Sequence, residues 1–359
     1  MKSHSSPLTS AAILITSLLM PITSHAESAD FNSAFNHYND AVAQNNIKTE
    51  LQFAQQAFDL GQIKFGEQDI NSANLALNLA SAMNKNHQIT DAISHYEFAL
   101  GIYRDNFDDE AIELIDPLTL LAEATKNGKQ AKTLFREAID ISENINKPLL
   151  HAQTLILAFN RLVNTQEYTR SVKNYLLDAE EIYIELLPED AADRVYATYL
   201  AGTVFLAEKQ YTRAEAKLLT AIKQYQVLNY SHPYELSAHA KLVEIYSLQD
   251  EASKATEHCL AIGNMQPWNN NQEQTPIFRQ NPNYPQSKAK QRKEGLVQIS
   301  FTIDKNGFVK SPHILMSKGG KAFENESIKA LKNWRYAPKF VDGKPVEAKS
   351  TVQLGFSIG

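Results

Sequence analysis

The stretch Gly202-Thr-Val-Phe205-Leu-Ala-Glu-Lys-Gln-Tyr211-Thr-Arg-Ala214-Glu-Ala-Lys-Leu218-Leu-Thr-Ala221 decides the fold of most of this chain. Gly202 and Phe205 lie three apart, and Ala214, Leu218 and Ala221 lie four and three apart, spacings that place each set on one helical face. Gly202 and Phe205 read as a first helix that precedes Tyr211 and Ala214 of a second. The same second-helix pattern returns at Ala54/Phe58, Ala92/Tyr96/Ala99, Ala131/Phe135/Ala138, Ser171/Tyr175 and Ala255/Cys259/Ile262. Including Ala214, successive starts step by 38, 39, 40, 43 and 41 positions.

A small residue at each start, followed by packing residues on the same face, resembles the second helix of a tetratricopeptide hairpin, where small side chains let two helices approach closely. Leu79, Ala80 and Met83 before Ala92 supply a matching first helix. The period exceeds the usual 34, and Ser231-His232-Pro233 opens the last hairpin, as in the longer repeats of kinesin light chains. The resemblance implies about six hairpins stacked as a right-handed solenoid with a concave face. In the third repeat Ala122 stands only nine residues before Ala131, so its first helix or turn is expected to be irregular.

Past Met265 the period changes. Residues 266–293 are rich in Asn, Gln and Pro (Pro267, Pro276, Pro282, Pro285) and read as an extended linker. Val297, Ile299, Phe301 and Ile303 then alternate with polar residues, and Asp304-Lys305-Asn306-Gly307 turns the chain into a second strand, Phe308 to Leu315. Ala322 to Trp334 reads as an amphipathic helix, and Thr351 to Ile358 alternates again as a last strand. The fold class is multidomain: an all-α solenoid followed by a small α+β domain of order ββαβ. The domain limits are 1–26 leader, 27–265 repeats, 266–293 linker with a docking segment, and 294–359 the α+β domain.

The α+β segment resembles the C-terminal domain of the TonB family. The resemblance rests on Gly295-Leu-Val-Gln-Ile-Ser-Phe-Thr-Ile-Asp304, Asn306-Gly307-Phe-Val309, Ser317, Ala330-Leu-Lys-Asn-Trp334-Arg-Tyr-Ala-Pro338, Gly343-Lys-Pro-Val346 and Val352-Gln-Leu-Gly-Phe356, with Arg279-Gln-Asn-Pro-Asn-Tyr-Pro285 upstream. It implies docking on outer-membrane TonB-dependent receptors, with an extended receptor peptide added to the last strand. Carried over residue by residue, it assigns Asn281, Pro282, Asn283, Tyr284 and Pro285 to docking. Thr351, Val352, Gln353, Leu354, Gly355 and Phe356 are assigned to peptide pairing. A three-stranded sheet has exposed edges, which independently suits strand addition. Phe356, Trp334 and Phe301 are also read as core, whereas Tyr284, ahead of the first strand, is expected to be dispensable to the fold.

The amino terminus sets the expected compartment. Lys2, the apolar run Ala11 to Ile22 and the small residues of Ser24-His25-Ala26 read as a cleavable signal peptide, placing the mature protein in the periplasm rather than anchored to the inner membrane. TonB itself keeps an anchor that engages the proton-driven motor. Here the helical array stands in that place, so an accessory role is expected, the array recruiting an inner-membrane motor or transducer component, or another periplasmic protein. Self-association through the C-terminal domain is a further expectation, and a pure envelope scaffold is the rival reading.

Composition narrows the chemistry. The 359 residues are 43% hydrophobic and 21% charged, as in folded domains. Net charge is -6, yet Glu27 to Met265 holds 19 Lys and Arg against 34 Asp and Glu, while Arg279 to Gly359 holds 15 against 6. This opposition argues for two separately folding modules. The C-terminal cations are scattered without a stacking platform, so nucleic acid is not an expected partner. Cys259 is the single cysteine, which excludes an intramolecular disulfide, and it reads as core. Glu180-Glu181 reads as a solvated polar face. No GxSxG, Walker loop, GxGxxG or HExxH occurs, so neither an enzyme nor a cofactor nor a metal is expected.

Overall fold

A computed structural model describes residues 25–227, 232–265 and 274–358. The expected leader lies outside the described residues except for its last two positions. Among the described residues no helix is long and apolar enough to cross a membrane. The chain divides into two units, Met1–Ile141 and Ser142–Gly359.

The first unit holds α1 (His25–Ala43), α2 (Ile47–Phe65), α3 (Ile70–Lys85), α4 (Ile89–Asn106), α5 (Ile115–Ala124) and most of α6 (Gly128–Asn144). Short polar residues start these helices: Asn46 Oδ1 accepts from Thr49 N at 3.3 Å, and Asp69 Oδ1 from Asn71 N at 2.8 Å. Gly66 ends α2 at φ 97°, a conformation open to glycine. The third repeat is irregular as its spacing predicts. Its first helix, α5, has only 10 residues, is entered through the 3-10 turn Ile112–Leu114, and carries Pro117 in its first turn.

The second unit continues with α7 (Pro148–Leu162), α8 (Arg170–Leu186), α9 (Ala192–Ala207), α10 (Tyr211–Tyr225), α11 (Pro233–Leu248) and α12 (Ala252–Met265). His232 caps α11, its Nδ1 accepting from Tyr234 N at 3.2 Å, and Pro233 needs no donor at the first helical position. Ala214, Leu218 and Ala221, and Ala255, Cys259 and Ile262, are buried as the repeat pattern requires. The fourth repeat differs by one position: Val172, Leu176 and Ala179 are buried, whereas Ser171 is exposed. A β-branched residue occupies the place held by alanine elsewhere, so small size alone points to the wrong neighbour. Glu180 also departs from expectation. It is buried and receives Lys217 Nζ of α10 at 2.8 Å, so it braces two repeats rather than facing solvent.

The C-terminal domain contains β1 (Pro276–Phe278), α13 (Gln286–Ala289), β2 (Gly295–Ile303), β3 (Val309–Lys318), α14 (Lys321–Leu331), β4 (Arg335–Tyr336), β5 (Lys339–Val341), β6 (Lys344–Val346) and β7 (Ala348–Phe356). Its ββαβ core is a three-stranded antiparallel sheet of order β3-β2-β7. In β2 the buried residues alternate, and Val297, Ile299, Phe301 and Ile303 face Phe323 and Leu331 of α14. Asp304 Oδ1 accepts from Asn306 N and Phe308 N, both at 2.9 Å, closing the turn at Gly307 (φ 80°). Trp334 lies past the end of α14, not within it. It is buried all the same, which agrees with its reading as core.

The described part of the segment read as a linker, from Gln274 onward, is tied into the folded domain. β1 pairs with β4, and Ile277 and Phe278 pack with Val243, Cys259, Ile262 and Ala337, a cluster shared with α11 and α12. Arg335 reaches the same helices: its Nη2 donates to Thr256 Oγ1 at 2.8 Å and to Asn306 O at 3.2 Å, while the guanidinium lies 3.8 Å from the centre of the Phe308 ring. At Gly263 of α12 an added Cβ would stand 2.6 Å from Pro338 O. Opposite charge therefore did not keep the two segments apart, because their contact is apolar and hydrogen-bonded. Within the last hairpin His239 Nδ1 and His258 Nδ1 are 2.7 Å apart, both rings buried and held near pKa about 4 by burial.

Candidate functional site

β7 forms one edge of the sheet. It pairs with β2 over nine consecutive positions, from Gly295 opposite Phe356 to Ile303 opposite Ala348, with no shift in register. Its other side bonds to no strand among the described residues. Leu354 and Phe356 are buried and Val352 half-buried against the core, while Thr351, Gln353 and Gly355 are exposed. The six residues assigned to peptide pairing therefore split. Three side chains hold the strand on the core, and its outer edge presents main-chain N–H and C=O groups of the kind an added strand could pair with.

The opposite edge is built differently. β3 has register shifts between Gln298 and Ile299 and between Ser300 and Thr302, Ser311 has φ 49°, and Pro312 lacks a donor. Bulges and proline are devices that blunt an edge against pairing. Of the two edges, β7 is the regular one.

The segment that the resemblance assigns to docking is anchored at both ends. Gln280 O accepts from Trp334 Nε1 at 2.8 Å, Gln280 Oε1 accepts from Asn333 Nδ2 at 2.9 Å, and Arg279 stands 5.0 Å from the Trp334 ring. At the far end Tyr284 Oη donates to Lys293 O at 2.6 Å, and its ring meets Phe323 and Phe356 edge-on at 5.7 and 5.9 Å. Asn281 and Asn283 remain exposed, and Pro282 and Pro285 are half-buried. Tyr284, expected to stand ahead of the fold, thus packs against its core and ties residues 281–285 to the end of β7. Gln280 and Asn333 were not singled out from sequence. Their signal was weak, since only the fold brings a polar pair 53 residues apart together.

Nothing at this site resembles a reacting group. Cys259, at the joint with α12, is buried, and burial pushes its thiol up to about 11 against the opposing pull of Arg335. Among the described residues no cluster of three or more His, Cys, Asp or Glu could hold a metal ion.

Residues 280–358 match the family model described as the Gram-negative bacterial TonB protein C-terminal. The chain is 29% identical to the TonB protein of Vibrio cholerae over 77 residues, 21% of this chain and 32% of that protein. It is 37% identical to TonB of Escherichia coli over 69 residues, 19% of this chain and 27% of that protein. The chain thus spans about a third or less of the length of these curated relatives. A solution structure of the Pseudomonas aeruginosa TonB C-terminal domain aligns with 25% of this chain and 90% of its own at 29% identity, with a TM-score of 0.23. The tetratricopeptide-like repeats of a Podospora anserina putative kinesin light chain align with 67% of this chain and 95% of their own at 14% identity, with a TM-score of 0.31. The chain thus joins a series of helical hairpins to a ββαβ domain, and residues 280–358 of it match the TonB C-terminal family model.

Proposed function

We propose that this protein is a periplasmic accessory of TonB-dependent transport across the outer membrane. Its C-terminal domain binds receptor peptides by strand addition to β7, and the helical array recruits a protein partner, an inner-membrane motor or transducer component or another periplasmic protein. The observation that carries this reading is the unbroken β7 edge within the segment that matches the TonB C-terminal family, with Tyr284 holding the docking segment against its end. The rival, an envelope scaffold whose small domain serves only for association, draws support from the way that domain covers the last hairpin.

Each main-chain hydrogen bond to an added strand contributes about 0.5–1.5 kcal/mol net, and ordering the peptide offsets part of the total. Affinity is therefore expected in the micromolar range. Titration of the whole protein with N-terminal peptides of TonB-dependent receptors tests this. Gln353→Pro keeps an exposed side-chain position but deletes a β7 donor, and is expected to weaken binding with the fold retained. A folded Gln353→Pro variant that binds as wild type would remove β7 as the pairing edge and favour the scaffold.

A further inference from the structure

The end of the C-terminal domain where β2 begins and β3 ends carries a concentration of cations that the peptide site does not use. Lys288, Lys290, Arg292 and Lys293 belong to α13 and the turn after it, which is closed by Lys293 N donating to Lys288 O at 3.1 Å. Lys318 ends β3 and Lys321 opens α14. These segments converge: a Cβ at Gly319 would stand 2.8 Å from Glu294 O, and one at Gly320 would stand 3.8 Å from Lys288 Nζ. Five of the six cations are exposed and Lys288 is half-buried. None of the six pairs with a carboxylate among the described residues, and the nearby acids in sequence are Glu294 and Glu324.

The same end exposes aliphatic side chains. Leu315 is the residue left unpaired by the register shift opposite Gln298 and Ile299, and the bulge turns it outward, 52% exposed. Met316 beside it is 46% exposed, and Ile358, just past β7, is 41% exposed. The β7 stretch Thr351–Phe356 itself carries no charge. Cations drawn from three segments, with exposed aliphatics on β3 and past the end of β7, match a surface that offers phosphates above hydrocarbon.

We propose that this end of the domain docks on the face of a bilayer containing anionic phospholipid. The Lys and Arg groups meet headgroup phosphates, and Leu315, Met316 and Ile358 enter the boundary with the acyl chains. The inference stands apart from the peptide reading and involves different residues.

Co-sedimentation of the whole protein with phosphatidylcholine vesicles containing roughly one third phosphatidylglycerol tests it, with pure phosphatidylcholine as reference. Wild type is expected to pellet with the anionic vesicles alone and to be released by salt, as exposed charges are screened. The Lys288→Glu/Lys290→Glu/Arg292→Glu variant is expected to partition at least about tenfold less while its receptor-peptide titration is unchanged. Leu315→Ser/Met316→Ser is expected to lose several-fold with the same salt dependence. Should the triple reversal fail to fold, Lys318→Gln/Lys321→Gln carries the same expectation from the other two segments. Wild type left in the supernatant with anionic vesicles would overturn the proposal. So would reversal variants that pellet as wild type. Binding of an acidic peptide or of inositol hexakisphosphate, without vesicle binding, would overturn it in favour of a protein partner or a free anion.

Discussion

Gly202 and Gly263 both sit on helices where another element comes too close for a side chain, yet they meet different neighbours. A Cβ at Gly202 of α9 would stand 2.9 Å from Cγ of Leu218 on α10, a side chain able to shift. A Cβ at Gly263 of α12 would stand 2.6 Å from the main-chain oxygen of Pro338 and 2.8 Å from Cε2 of Phe340. Helix packs on helix within a repeat, through side chains that interdigitate and can adjust. At the end of the array the next repeat is replaced by the C-terminal domain, which brings backbone against backbone. Both contacts are tight, for a Cβ at Gly202 would also stand 3.3 Å from the main-chain N of Leu218, but of the two only at Gly263 would a main-chain atom lie closer than 3 Å.

The largest effect expected from this contrast is at Gly263. Gly263→Leu cannot be relieved by a rotamer change and is expected to cost more than about 3 kcal/mol in urea denaturation, with new protease cleavage in β1 and β5. Stability equal to wild type would show that the joint yields as easily as a repeat contact.

Acid should open the same hairpin from within. The one short contact between His239 Nδ1 and His258 Nδ1 lets one neutral ring donate to the other, and protonating both leaves no acceptor. Burial lowers both folded pKa values to about 4 from 6.5. Below 6.5 the unfolded chain binds protons that the folded one refuses. This contribution is therefore complete above pH 6.5, is lost as pH falls toward 4, and changes little below that. A loss of stability is expected across that window. Thermal melts of wild type and of His239→Leu/His258→Leu separate this pair from other carboxylates, since the double variant is expected to lose that part of the pH dependence.

Smaller effects belong to the repeats themselves. Gly202→Ala trades crowding at Leu218 against the better helix propensity of alanine, worth about 1 kcal/mol, so a net change under about 1 kcal/mol is expected. A larger loss would mean that Leu218 is as immobile as the Pro338 carbonyl, and the contrast would fail. Smallest is Lys173→Met, which removes the 2.8 Å pair with Glu208. Both partners are partly exposed, and about 0.5 kcal/mol or less is expected by denaturant titration.

Much of the molecule was legible before its structure. Period carried the repeats, because burying one face of a helix demands residues three and four apart whatever lies opposite. The alternation in β2 and the Asp304-to-Gly307 turn were equally local and appear where they were read. Reading failed where a residue's role depends on what folds against it. Ser171 was taken for a packing position when Val172 fills it, and Glu180 was taken for a solvated acid when Lys217 from another repeat buries it. Tyr284 precedes the first sheet strand in sequence but lies against Phe323 and Phe356 in space.

By itself the sequence determined the two architectures and their order, since these follow from periodicity. Tertiary structure alone decided that β3 is the bulged edge, that residues 280–284 are pinned through Gln280 and Tyr284, and that the C-terminal domain shares a core with α11 and α12. The physical reason is range. Helix and strand patterns are set by neighbours within a few residues, whereas Arg335 reaching Thr256 across 79 positions depends on a closure that no local pattern encodes.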